Sequence, residues 1–175
     1  ESFVDFQFYD ISGEPSAFFI EPVKNSDGLS GWFVFQFSIN RINKMFRFDK
    51  KLGSTGEVIL VNKDHYMLTD SRFTARSTIL KQQLADENIE TKFRERSGRK
   101  TVIDYRGFNV MSVFEVFPFL GSEWLIIAKI NQSEVLTQYL LEYRAQLDPV
   151  WIQALKNEDP VYGDYVPVTL DHIEV

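Results

Sequence analysis

The N-terminal part of the chain alternates apolar and polar residues with the two-residue period of β-strands. Strands are predicted at residues 3–9, 17–23 and 31–39. Turn-forming residues separate these segments, and in the third segment Phe33, Phe35 and Phe37 fall on one face. We therefore predict a sheet at the N-terminus, and we interpret its aromatic face as core packing rather than as a ligand cage.

After these strands the pattern predicts a short helix and then a hairpin. Asn40 is the expected N-cap of a helix over residues 40–48. Residues 53–56, which are Gly-Ser-Thr-Gly, predict a turn. The segments 57–63 and 66–70 lie on either side of a second tight turn, so we predict that they pair as a β-hairpin.

The second half of the chain predicts one helix, three strands and a final helix. Residues 77–97 are polar with a thin apolar stripe, which is compatible with a helix. The three strands are predicted at residues 100–105, 109–117 and 123–130. Short connections between them, including the turn at Arg106 and Gly107, favour antiparallel neighbours. Asn131 is the predicted cap of a helix that runs to about residue 147.

These elements group into three regions. Residues 1–52 hold the N-terminal strands and a connecting helix, residues 53–130 hold an α+β module, and residues 131–175 hold a C-terminal helix and a tail. A further helical piece is expected at 150–155 and an alternating segment at 165–175. No internal repeat is apparent in the sequence.

Composition excludes several kinds of chemistry. The 175 residues have a net charge of -6, are 44% hydrophobic and include no Cys, so disulfides, thiolate metal sites and a Cys nucleophile are excluded. The only two His, His65 and His172, are far apart, so we expect neither a metal site nor a cofactor. No catalytic motif is present and no carboxylates are paired, so we do not expect an enzyme. The acidic balance argues against a nucleic-acid partner, and no apolar run is long enough to span a membrane.

Four segments resemble one known family. The motifs are Leu-Gly-Ser-Thr-Gly-Glu-Val-Ile-Leu-Val-Asn-Lys-Asp at 52–64, Tyr-Met-Leu-Thr-Asp-Ser-Arg-Phe at 66–73 with Ser-Thr-Ile-Leu at 77–80, Asp-Tyr-Arg-Gly-Phe-Asn-Val-Met-Ser at 104–112, and Trp-Leu-Ile-Ile-Ala-Lys-Ile at 124–130. In this order they resemble Cache domains, the extracytoplasmic PAS-like sensor modules of bacterial signal-transduction proteins. The resemblance implies an α+β fold with a PAS-like five-stranded antiparallel sheet and flanking helices, to which this chain adds N-terminal strands.

The resemblance also implies a biological setting. Residues 1–52 would be the end of a membrane-distal module and residues 53–130 the membrane-proximal module of a double Cache domain. Such a domain is the periplasmic part of an inner-membrane chemoreceptor, sensor kinase or cyclase, and its membrane tether would lie outside this segment. Two alternatives remain open: a structural relay that binds no ligand and forms a homodimer through helices such as 131–147, or part of a soluble fusion with a downstream enzyme.

A ligand site is expected between the sheet and its cover. The candidate lining residues are Tyr66, Asp70, Arg72, Tyr105 and Ser112. Arg72 could hold the carboxylate of an amino acid or small carboxylic acid, and Asp70 could hold an ammonium group. The alternative interpretation is that Asp70 and Arg72 pair with each other or cap the following helix. Nine Lys and Arg against five Asp and Glu over residues 72–106 are interpreted as a solvated face.

Overall fold

The structure is a computed structural model that describes residues 2–46, 52–84 and 87–146, with the backbone alone at 87 and 140–146. Contacts divide the chain into two compact units, Glu1–Asn131 and Gln132–Val175. The pieces predicted at 150–155 and 165–175 lie outside the described residues.

The first unit begins with an antiparallel three-stranded sheet, which we call sheet 1. Its strands, in spatial as well as chain order, are β1 (Ser2–Tyr9), β2 (Glu14–Asn25) and β3 (Gly28–Ser38). All three strands are longer than the alternating pattern predicts, because backbone pairing continues into the turn residues.

A short helix, α1 (Ile39–Met45), follows β3 directly. Its N-cap is Ser38, whose side-chain oxygen accepts a hydrogen bond from the backbone N–H of Asn40. The predicted cap at Asn40 is therefore wrong by two residues, because the hydroxyl of Ser38 accepts from the backbone N–H of Asn40, which has no partner within the helix. Residues 47 and 48 of the predicted helix lie outside the described residues.

The second sheet, sheet 2, is antiparallel and has the order β4-β7-β6-β5. Its strands are β4 (Glu57–Val61), β5 (Ser97–Ile103), β6 (Asn109–Phe119) and β7 (Ser122–Asn131). The remaining described helices are α2 (Glu87–Glu95), before β5, and α3 (Gln132–Gln146), after β7. The predicted α+β class with antiparallel strands is confirmed.

The segment predicted as a fifth strand, 66–70, pairs with β4 only briefly. One bridge joins Val61 and Met67, and the N–H of Leu68 donates to the carbonyl of Leu60 at 2.7 Å. In return, the N–H of Leu60 donates to the hydroxyl of Thr69 at 3.0 Å. A side chain thus takes the place of a backbone acceptor, and the ladder ends there.

The helix predicted over 77–97 is shorter than expected. Leu80 has a φ of 53°, which an α-helix cannot accommodate, and its N–H donates to Met67 at 2.8 Å. Residues 78–84 therefore follow the 66–68 segment as a loop, and the helix described, α2, covers only the second half of the prediction.

Two apolar cores cover the two faces of sheet 2. One face packs under α2 through a cluster that includes Ile59, Leu125 and Ile127. The other face packs against sheet 1 and α1, where Phe6 and Trp124 are almost fully buried. The expectation that the N-terminal aromatic residues form core therefore holds for part of sheet 1 only. The following side chains of β3 are about half exposed: Trp32, Phe33, Val34 and Phe35.

Candidate functional site

A small cavity lies between sheet 2 and α2. Its lining residues are Ile59, Leu84, Ile89, Lys92, Val102, Ile103, Asp104, Tyr105, Val110, Ser112, Ile127 and Lys129. The cavity volume is about 20 Å³, enough for roughly one water molecule. Pockets that enclose small-molecule ligands typically measure about 300 Å³ or more. In this conformation the cavity is too small for an amino acid.

A buried ion-pair network borders the cavity. The register of β4 on β7 places Glu57 opposite Lys129. The ammonium of Lys129 lies 3.2 Å from Oε2 of Glu57 and 2.7 Å from Oδ2 of Asp104. The Nε of Arg106 lies 2.7 Å from the same Asp104 oxygen. Two cations and two carboxylates therefore balance one another, and their side chains are at most 11% exposed.

Asp104 also shapes the turn between β5 and β6. Its Oδ1 accepts hydrogen bonds from the backbone N–H groups of Arg106 and Phe108, at 2.9 and 3.3 Å. Burial by itself raises the pKa of the Asp104 carboxyl. The hydrogen bond and charge of Lys129 and the hydrogen bonds from Arg106 together outweigh burial and hold this pKa below its usual range. Asp104 is therefore a carboxylate at neutral pH.

Lys129 is the central cation of the network. Burial lowers the pKa of its ammonium, and the neighbouring carboxylates of Glu57 and Asp104 only partly offset that effect. The ammonium also lies 3.9 Å from the centre of the Tyr105 ring, within range of a cation–π interaction.

Tyr105 joins the network to the loop after the 66–70 segment. Its hydroxyl lies 3.0 and 3.1 Å from the two carboxylate oxygens of Glu57 and 2.6 Å from Oγ of Ser71. Burial and then the negative charge of Glu57 raise the Tyr105 pKa, so the side chain remains a neutral phenol. Because a phenol carries one proton, it can donate to Glu57 only if Ser71 donates to it.

Of the five predicted ligand residues, Tyr105 and Ser112 line the cavity. Ser112 is buried on β6, and its hydroxyl donates to the carbonyl of Lys100 at 3.0 Å. Tyr66, Asp70 and Arg72 do not line it. The structure thus brings two of the five side chains together and places the other three elsewhere.

Asp70 connects α1 to the loop that follows the 66–70 segment. Its Oδ2 accepts from Nδ2 of Asn43 at 2.8 Å, and its backbone N–H donates to Oδ1 of Asn43 at 2.8 Å. Its Oδ1 accepts from the backbone N–H of Thr78 at 3.1 Å. Both carboxylate oxygens thus have partners within the chain, and no ion pair joins Asp70 to Arg72 among the residues that the structure describes.

Arg72 holds the turn before β4. Its Nη1 donates to the carbonyls of Gly53 and Gly56, at 3.2 and 2.8 Å. Its guanidinium lies 5.5 Å from the Phe73 ring centre. Arg72 is thus occupied by backbone carbonyls instead of facing the cavity.

Tyr66 is half-buried, and its backbone exchanges hydrogen bonds with Asn62.

Sequence reasoning missed the charged residues that dominate the site. Glu57 and Lys129 stand inside apolar strand segments, Glu-Val-Ile-Leu-Val and Ile-Ile-Ala-Lys-Ile. A charge within a buried strand is the signal that could have indicated them, because such a charge needs a partner. Asp104 and Arg106 belong to the 104–112 motif of the family resemblance, but no charged role was predicted for either residue, and Arg106 was interpreted as part of a turn.

The network extends to the end of β7. Nη2 of Arg106 donates to Oδ1 of Asn131 at 3.1 Å, and the N–H of Asn131 donates to Oγ1 of Thr55 at 3.1 Å. Asn131 is the last residue of β7 and directly precedes α3. Its side-chain oxygen, which was expected to cap that helix, is engaged by Arg106.

The start of β7 is attached to sheet 1. Asp5 of β1 accepts from Nε1 of Trp124 at 3.0 Å and from the hydroxyl of Ser122 at 2.6 Å. One strand of sheet 2 therefore carries contacts to sheet 1 at one end and the charged network at the other.

The fold is similar to that of solved extracytoplasmic sensory domains of chemoreceptors and histidine kinases, which agrees with the fold that the resemblance to Cache domains implies. No family model and no curated protein matches the sequence. The likeness to known proteins is therefore one of fold.

Three solved structures illustrate the likeness. The periplasmic sensory domain of the Campylobacter jejuni chemoreceptor Tlp1 superposes with a TM-score of 0.63 at 13% identity, over 77% of this chain and 50% of its own. The extracellular domain of mmHK1S-Z3, described as a histidine kinase, superposes with a TM-score of 0.61 at 15% identity. The match covers 78% of this chain and 51% of that domain. The ligand-binding domain of the Pseudomonas aeruginosa PAO1 amino acid chemoreceptor PctB, solved with L-Arg, superposes with a TM-score of 0.52 at 14% identity. The match covers 77% of this chain and 55% of that domain. The chain spans about half the length of these domains. None of the described helices is long and apolar enough to cross a membrane.

Proposed function

We propose that this chain is part of the extracytoplasmic sensory region of a membrane-anchored signalling protein, and that sheet 2 relays a conformational signal within it. The observation that carries this proposal is the position of β7. The strand begins beside Asp5 of sheet 1, passes the buried charged network and continues into α3.

A relay needs rigid attachment at its input and its output. At the input, the Asp5 carboxylate binds both Ser122 and Trp124, and the Trp124 side chain is 2% exposed. At the output, Arg106 donates to the side-chain oxygen of Asn131, and the hydroxyl of Thr55 accepts from the backbone N–H of Asn131. If sheet 1 moves, the displacement would therefore be transmitted along β7, a single hydrogen-bonded strand, to the first turn of α3.

The state of the cavity supports the relay over ligand recognition within sheet 2. The polar groups there satisfy one another, and an amino acid would have to separate Lys129 from its carboxylates and displace α2. Separating a buried ion pair is costly unless the ligand replaces both partners. The proposal includes no catalytic step, and dimerisation through α3 is one route by which the signal could leave the domain.

The relay is tested by removing its input contact. We expect Asp5→Ala to speed amide hydrogen exchange in the last residues of β7, 129–131, and in the first turn of α3, at the end of β7 away from the substitution. Asp10→Ala, at an exposed residue of the next turn, is the matched control and should leave both segments unchanged. If Asp5→Ala alters exchange only in β1 and at the start of β7, the relay is wrong.

A second candidate is that the cavity opens to bind a small molecule. Tyr105, Ser112 and two lysines line it, and the domain of similar fold from PctB was solved with L-Arg. A thermal-shift screen of amino acids and small carboxylates tests this candidate. A ligand at 100 times its Kd should add about 2.7 kcal/mol to stability, so a true ligand raises the melting temperature by several degrees. A shift that persists in Ser112→Val and Tyr105→Phe would place the ligand elsewhere.

A further inference from the structure

One end of sheet 2 carries the point at which the chain passes into α3. Because the sheet is antiparallel, β4 and β6 begin at this end, and β5 and β7 end there. We call it the Asn131 end, after the last residue of β7. Three connecting segments meet at it: the turn at 53–56, the loop at 71–76 and the turn at 104–108. Side-chain hydrogen bonds of Arg72 and Tyr105 join the loop to the two turns.

Two phenylalanine side chains are exposed at the Asn131 end. Phe73 in the loop and Phe108 in the turn are 40% and 53% exposed. The guanidinium carbon of Arg106 lies 4.0 Å from the centre of the first ring and 5.6 Å from that of the second, so the two rings are neighbours. Arg106 is itself fixed by Asp104 and Asn131. Single exposed apolar side chains are common on protein surfaces, whereas neighbouring ones held in place indicate contact with a partner.

The charge that the Asn131 end presents to solvent is positive. Arg72 and Arg76, both in the loop, are exposed. The described carboxylates at this end all accept hydrogen bonds or form ion pairs within the chain: Glu57, Asp70 and Asp104. An anionic partner would therefore meet two arginines beside two aromatic rings.

A lipid bilayer with anionic headgroups matches this combination of side chains. Aromatic rings enter the boundary between headgroups and acyl chains, while arginine side chains remain in the headgroup layer and pair with phosphates. We propose that the Asn131 end rests on the anionic surface of the membrane, with Phe73 and Phe108 inserted at headgroup depth and Arg72 and Arg76 against the phosphates.

This inference rests on the proposed function, because an anchored sensory region is held close to a bilayer. The position of the rings supports it, since they lie at the end from which the chain continues into α3. The contact would fix the output end of the relay relative to the bilayer. Two arginines alone bind such a surface weakly, since each contributes about fivefold, so the anchor and the rings must add to them.

The test uses the 175-residue chain, whose lack of cysteine allows a single fluorescent label at a chosen residue. Ala75→Cys, in the loop, and Asp27→Cys, in the β2–β3 turn of sheet 1, each carry one environment-sensitive nitrobenzoxadiazole group. A C-terminal histidine tag and a nickel-chelating lipid hold the chain on vesicles, as a membrane anchor would. On vesicles of equal parts phosphatidylglycerol and phosphatidylcholine, we expect the label at position 75 to shift to the blue and the label at position 27 to stay unchanged. On phosphatidylcholine vesicles neither label should shift.

Substitutions identify the groups that insert. Phe73→Ser combined with Phe108→Ser should abolish the shift at position 75, whereas Phe33→Ser, at a side chain that is 56% exposed in sheet 1, should leave it unchanged. Arg76→Gln should lower the equilibrium constant for insertion about fivefold. This variant leaves the rings on Arg106 in place, so it tests the contact even if the serine variant unfolds. Lys24→Gln, at an exposed residue of β2, is its control and should have no effect.

Three results would overturn the proposal. They are no shift at position 75 on anionic vesicles, an equal shift on neutral ones, and a shift without vesicles that grows with protein concentration. The last result would show that a second copy of the chain covers the rings. The Asp5→Ala test of the relay uses no lipid, so a failure here leaves the proposed function standing.

Discussion

At the scale of single residues, Lys129 shows how a buried charge can hold a sheet together. It is 5% exposed and contacts two carboxylates that are themselves buried. Such a network contributes little net stability relative to an apolar replacement, but the loss of one member leaves the other charges without partners. The network instead makes the fold specific, because every charged group has a partner in only one arrangement of β4, β7 and the Asp104 turn.

We predict that Lys129→Met destabilises the protein by about 3–5 kcal/mol, because Glu57 and Asp104 then remain buried without their shared cation. The free energy of unfolding in urea measures the effect. Glu123→Gln, which removes an exposed pair with Arg96, is the control and should cost about 1 kcal/mol or less. A loss of less than 1 kcal/mol in Lys129→Met would mean that water reaches the network.

The lowered pKa of Asp104 predicts a dependence on pH. A carboxyl whose folded pKa lies below its unfolded value of about 3.8 stabilises the fold at pH values above the unfolded value, and this contribution is lost as the pH falls through the folded pKa. The stability difference between the native chain and Asp104→Asn should therefore be constant above about pH 5 and shrink below pH 4. Urea unfolding from pH 2 to 7 measures it. A constant difference throughout would show that the Asp104 pKa is unshifted.

At the scale of elements, the turn before β4 depends on a glycine. A Cβ on Gly56 would lie 1.9 Å from the carbonyl oxygen of Leu52, whereas a Cβ on Gly31 would meet no atom within 4 Å. The first contact involves backbone, which cannot rotate away as a side chain can. Arg72, which donates to the carbonyls of Gly53 and Gly56, maintains this close turn.

We predict that Gly56→Ala destabilises the protein by about 2–4 kcal/mol and disturbs the Thr55 contact to Asn131. Gly31→Ala should be neutral or slightly stabilising, since alanine is favoured over glycine in a strand by roughly 0.5–1 kcal/mol. Thermal unfolding of the two variants provides the comparison. If the two variants are equally stable, the turn before β4 can change its conformation to accommodate a Cβ at position 56 without a loss of stability.

Sequence patterns predicted most of the elements and only part of the site. The alternation of apolar residues located seven strands, because local periodicity reports which face is buried. It overestimated the pairing of 66–70, where the Thr69 hydroxyl replaces a backbone acceptor. Glu57 and Lys129 come together through the register of β4 on β7, which links positions 72 residues apart and leaves no local trace. Asp70 and Arg72 were chosen for their chemistry, but both are held by nearby polar groups.

At the scale of the whole molecule, the first unit consists of two sheets that share a core. Phe3, Phe6 and Phe37 of sheet 1 pack with Phe119 and Trp124 of sheet 2. Sheet 1 has few other buried apolar side chains, so its stability depends on this shared surface. A protein built in this way is expected to unfold as one cooperative unit, which is also what a mechanical connection from sheet 1 to β7 requires.

This cooperativity can be tested at Trp124. Trp124→Phe removes the indole N–H that binds Asp5 and part of the ring surface packed against Phe119, so we expect a loss of about 1–3 kcal/mol. If the sheets unfold together, the slowest-exchanging amides of both sheets should lose protection by the same factor in hydrogen-exchange measurements. Phe8→Leu, at a side chain that is 62% exposed, is the control and should leave protection in both sheets unchanged. If only the β1–β3 amides lose protection, sheet 1 opens independently of β7, and it could not transmit a displacement through Asp5 and Trp124 to α3.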